Sequence, residues 1–227
     1  MHVMFEPYFL LVTLHIVLFA YWLGGDFGVF VCSRYIARPD LHVDERLRFL
    51  EALLAIDILP RTAIVLLPVV GINMAYLRGS TILSAPVVGL VWLLGAAWVF
   101  IVFKVYTTRL LPSGAFWQKV DVIWRVLLIV LLLVLGYTTI SGQWPITEGW
   151  LGLKLIIYAT LLGLGLYLRT TIADWKKGFI SLKKGDSGPT IDALFIDARR
   201  RAKYTAFTFW TLVAVMGWLG ISQPAIG

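Results

Sequence analysis

The stretch Pro7 to Gly28, PYFLLVTLHIVLFAYWLGGDFG, is apolar and long enough to cross a bilayer, yet it carries His15 and Asp26. An ionisable side chain at membrane depth is costly, so it faces the protein interior or serves a function. His15, Phe19, Trp22 and Asp26 are spaced i, i+4, i+7 and i+11, which places them on one stripe of a helix. Lipid offers a carboxylate no partner, so the stripe is expected to face other helices.

Working outward, five more apolar runs follow. The expected spans lie near 7–31, 53–77, 84–108, 121–142, 150–171 and 204–223, each close to the roughly 20 apolar residues that a membrane helix needs. The expected fold is an all-α, polytopic bundle of about six transmembrane helices, with 1–227 as a single integral membrane domain. The composition agrees: 59% of the 227 residues are hydrophobic and 15% are charged, and the mean hydropathy is +0.84. Residues 1–25 do not read as a signal peptide, because they lack a basic start and contain Glu6 and His15. The lone Cys32 excludes an intrachain disulfide and a cysteine-rich metal site.

The net charge of +7 tracks alternate loops, which argues for membrane topology and against nucleic acid. Residues 32–52 hold Arg34, Arg38, Arg46 and Arg48. The second loop holds only Arg78, and the fourth, GQWPITEG, has neither Lys nor Arg. A basic loop at 172–203 includes Lys176, Lys177, Lys183, Lys184, Arg199, Arg200, Arg201 and Lys203. Positive loops stay in the cytoplasm, so both termini are expected outside. Tyr8, Trp144 and Trp150 suit the outer interface, and Trp117 and Trp175 the inner one. DERLRFLEAL reads as a helix that leads into the second span, where Pro60 and Pro68 are expected to introduce kinks. KKGDSGPT reads as a break before an amphipathic lead-in to the last span.

Depth along the helices, at about 1.5 Å per residue, sorts the polar groups into two expected clusters. An inner one combines Asp26, Asp57, Arg61 and Arg125. An outer one combines His15 with Lys154, Tyr158 and Tyr137. Asp57 and Arg61 stand at i and i+4 on one face. Gly24 and Gly28, joined by Gly25, form a small-residue pattern that lets a helix or a flat ligand approach closely.

These residues carry a resemblance. LHIVLFAYWLGG is similar to the first helix of the HemJ-type protoporphyrinogen oxidases and the copper-resistance D proteins, with a Leu-His pair followed by Trp and small residues. DERL and the later LPRT resemble the entry and the arginine-bearing second helix of the HemJ type. GWLGLKLIIYATLL resembles its W-L-x-x-K-L helix start. The matches keep their order. The resemblance implies a haem b-binding bundle in which His15 is an axial ligand and Lys154 and Arg61 are required, with Trp22 and Gly25 beside the cofactor and Met74 or Met216 as second ligand. Gly152 and Leu166–Tyr167 depart from the pattern, which often has His before the Lys and a later Tyr-His pair.

Three functions remain open on the sequence. The first is a haem b membrane redox protein that oxidises a porphyrinogen or exchanges electrons with a quinone. The second is a proton-linked or copper transporter, in which Asp26 and Asp57 line a path and His15 binds metal. The third is a non-catalytic subunit of a larger membrane complex or a homo-oligomer. All three place the chain in the lipid bilayer of a bacterial inner membrane. HExxH, CxxC, GxSxG, Walker A and GxGxxG patterns are absent, so soluble hydrolase, kinase and dinucleotide chemistry lack a basis.

Overall fold

The computed structural model describes residues 6–79, 83–142, 149–186 and 188–224. They form seven helices: α1 (Pro7–Ile36), α2 (Val43–Ile56), α3 (Ile58–Leu77), α4 (Ala85–Thr107), α5 (Gly114–Ile140), α6 (Gly149–Lys183) and α7 (Pro189–Ser222). No strand occurs among the described residues. Six stretches are long and apolar enough to cross a membrane, with Val43–Leu77 (α2 and α3) counted as one. Large apolar side chains such as Leu93, Leu127 and Val134 are more than half exposed, as expected of surfaces that face hydrocarbon.

The second span is broken between Ile56 and Ile58. Pro60 explains the position, because in a continuous helix its ring would strike the carbonyl of residue 56. Arg61 N–H still donates to the Asp57 carbonyl at 3.2 Å, so α3 starts directly after the break. The helix then runs on through Pro68.

In the basic stretch 172–203, the break expected at KKGDSGPT and the lead-in expected before the last span are both present, and the residues before the break, expected as loop, continue α6 to Lys183. α6 has 35 residues and α7 has 34, each about 50 Å long against a hydrocarbon core of about 30 Å. The break itself is short. Gly185 and Gly188 have φ of +89° and +134°, a backbone region open to glycine, and Pro189 opens α7.

The chain folds into two compact units. The first comprises residues 1–28 and 55–121, the second residues 29–54 and 122–227. In the first, α1 and α3 run antiparallel, and their contacts step down one helix as they step up the other. Arg78 stacks over Tyr8 with its Cζ 5.3 Å from the ring centroid. Gly71 lies under His15, Pro60 against Gly25, and Ile56 against Gly28. The close-packing pair is therefore Gly25 and Gly28. A methyl group added at Gly24 would find nothing within 4 Å, so the expected Gly24–Gly28 pairing is corrected by one residue. α4 meets α3 where Gly95 faces Val69.

In the second unit, α5 and α6 touch backbone to backbone: a Cβ on Gly136 would stand 2.9 Å from the Gly152 carbonyl oxygen, and a Cβ on Gly152 2.9 Å from that of Gly136. α6 and α7 form an antiparallel hairpin closed by Gly178 against Phe195. A core of Ile36, Leu50, Leu53, Trp175, Phe179 and Phe195 joins α2 to this hairpin. Trp175, expected at a membrane interface, is instead 2% exposed, and its Nε1 donates to the Phe195 carbonyl at 3.4 Å. The reason is that α6 and α7 continue as helices past their apolar spans and enclose the indole. Trp150 is half-buried at the start of α6, and Trp144 lies outside the described residues.

Candidate functional site

The α1 stripe faces inward. Trp22 is 4% exposed, and the opposite face, with Ile16 and Tyr21, is open. The His15 imidazole lies over Gly71: a Cβ there would be 3.5 Å from His15 Cε1. An alanine at position 71 would make ordinary van der Waals contact with the ring.

About three turns beyond His15 on α1, Asp26 enters a cluster with α3. The Asp57 carboxylate accepts from Arg61 Nε at 2.6 Å and pairs with Nη2 at 2.5 Å. The guanidinium is also within electrostatic reach of Asp121 and Asp26. Asp121, at the α5 end of this unit, is 1% exposed and accepts from Trp98 Nε1 at 3.1 Å. Asp26 is different. It senses Asp57 and Arg61 electrostatically, but makes no direct hydrogen bond or ion pair among the described residues.

Three of the four residues expected in the inner cluster thus come together in the first unit: Asp26, Asp57 and Arg61. Arg125 belongs to the second unit, where it is 5% exposed, lies under Gly165 and is within electrostatic reach of the buried Tyr158. Asp121 is an unexpected member. Its signal in the sequence is an acidic residue at the head of an apolar run, four residues before Arg125.

Lys154 also lies in the second unit. Its Nζ is 3.0 Å from the position that a Gly220 Cβ would occupy and 5.6 Å from the Trp150 ring centroid, a cation–π distance. Gly220 leaves the room that the ammonium fills. Tyr137, expected beside it, is 68% exposed and points away from the bundle, because Gly136 and Thr139 occupy the α5 face that packs on α6. Met74 is half-buried, three residues beyond Gly71 on α3. Met216 is half-buried one turn before Gly220 on α7. Among the described residues, no group of three His, Cys, Asp or Glu side chains is arranged to hold a metal ion, and His15 belongs to no such group.

Arg46, expected as a loop charge, is 2% exposed. Its Nε donates to the Ile36 carbonyl at 2.8 Å, its Nη1 is 3.7 Å from Asp192, and its Cζ is 4.0 Å from the Phe195 centroid. The available signal was its place on the apolar stripe of α2, at i, i+4 and i+7 with Leu50 and Leu53.

Fold and sites together define a polytopic α-helical membrane protein with ionisable groups set between its helices. Comparisons with protein-family models, with curated proteins and with solved structures give no match.

Proposed function

We propose that the chain is a proton-handling protein of a bacterial inner membrane, with both termini outside, and that Asp26 is its proton-exchanging group in proton-linked transport. One observation carries this reading: Asp26 stands inside a membrane-length helix, beside the Asp57–Arg61 pair, and has no direct partner of its own among the described residues. Ionisable groups in such settings mark proton relays. Asp57 and Arg61 satisfy each other and form the fixed part. Asp26 exchanges its proton with the neighbourhood that they polarise. The test is proton flux into proteoliposomes under an imposed potential. Asp26→Asn is expected to abolish flux while preserving the folded protein. Flux equal to that of the wild type would overturn the assignment.

A second reading is favoured by the setting of His15. A half-buried imidazole over Gly71, with Met74 three residues further along α3, offers the residue types that haem b takes as ligands. Haem b would supply a one-electron centre for porphyrinogen oxidation or quinone exchange. In this reading His15 would bind and orient the group and Trp22 would wall the site, while Arg61 stays paired with Asp57. A visible spectrum of protein purified from haem-replete cells decides it. A Soret band lost in His15→Ala supports haem, and its absence in the wild type rejects it.

A further inference from the structure

Most arginines near the hairpin end of the second unit are matched to carboxylates. Arg38 pairs with Asp40, Arg46 with Asp192, Arg200 with Asp197 at 3.0 Å and Arg201 with Asp174 at 2.5 Å. Arg34 and Arg199 have no carboxylate partner among the described residues. Arg199 Nε is buried and donates to none of them.

The two are neighbours. Arg199 Cζ is 5.9 Å from the Phe30 ring centroid. Arg34 follows Phe30 by four residues on α1, one turn on and on the same face. The guanidiniums are within electrostatic reach of each other. Two like charges held together without a counter-ion repel, and an anion between them removes that cost.

The surroundings say which anion. Phe30 meets Phe207 and Trp210 edge to face, at centroid distances of 5.9 and 5.3 Å. Phe207 is 47% exposed. Along α7, the order from the hairpin end is cation first and aromatic surface after. A phospholipid presents the same order, phosphate then acyl chain, and planar guanidinium forks match phosphate oxygens.

We propose that Arg34 and Arg199 bind the phosphate of an anionic phospholipid whose acyl chain lies along Phe207 and Trp210. This lipid site is independent of the proton and haem readings.

The test is thermal unfolding of the full chain in a neutral detergent, titrated in parallel with phosphatidylglycerol, phosphatidylcholine and inorganic phosphate. Phosphatidylglycerol is expected to raise Tm, and the other two to leave it unchanged. Arg34 is exposed, and its loss relieves the repulsion, so Arg34→Gln is expected to hold or raise the lipid-free Tm and to lose the lipid shift. Arg48→Gln, an exposed arginine on α2, is expected to keep the shift. A full shift in Arg34→Gln, or an equal loss in Arg48→Gln, overturns the site. A shift produced equally by inorganic phosphate overturns the lipid assignment.

Discussion

Gly25 of α1 lies directly against Pro60 of α3, so close that a methyl group on residue 25 would stand 2.6 Å from the proline Cδ. Both residues are special. The glycine removes its side chain at the contact, and the proline has a rigid ring that cannot move aside. Gly25→Ala is expected to destabilise the protein by about 1–3 kcal/mol through overpacking. Gly24→Ala, one residue away in open space, is expected to leave stability unchanged or raise it slightly. Thermal unfolding of the two variants in detergent checks the contrast.

The Asp57–Arg61 pair bridges the start of α3 and is partly shielded. Removing one partner leaves the other charge uncompensated, so Arg61→Ala is expected to cost about 3 kcal/mol. Asp57→Asn combined with Arg61→Gln is expected to cost less than the two single changes together. A double-mutant cycle measures the coupling. Asp26→Asn removes no direct contact and is expected to change stability by less than about 1 kcal/mol.

Arg46 has its guanidinium between Phe195, the Ile36 carbonyl and Asp192. Arg46→Ala is expected to cost about 3 kcal/mol, from the lost hydrogen bond and the lost packing on the ring. The damage is expected to be local. Hydrogen exchange should quicken across 43–56 and 189–198 and stay unchanged in α4. Uniform quickening across every helix would contradict that local role.

Gly136 and Gly152 permit the backbone contact of α5 with α6. Gly136→Val or Gly152→Val is expected to separate the helices and to lower the amount of folded protein recovered from membranes. Gly163→Ala, where nothing lies within 4 Å, is expected to behave as the wild type. Size-exclusion profiles of the fluorescently tagged protein give the comparison.

The six spans, the break at KKGDSGPT and the inward stripe of α1 were legible in the sequence. So was the meeting of Asp57 with Arg61, which are neighbours on one helical face whatever surrounds them. Other features depended on distant partners. Trp175 reads as an interface anchor until Phe195, 20 residues away, encloses it. Tyr137 reads as a companion of Lys154 until the facing glycines turn it outward. Asp121 enters the cluster only because Trp98 and Arg61 arrive from other helices.

The sequence alone determined which segments are membrane helices, because hydrogen bonding within a helix and transfer into hydrocarbon are both local properties of a segment. Only the tertiary structure decided which ionisable groups are matched. It gave Arg46 a buried seat, left Asp26 without a direct partner among the described residues and set Arg34 beside Arg199. The reason is physical: the charge balance of a side chain is fixed by what packs against it, and that comes from residues remote in the chain.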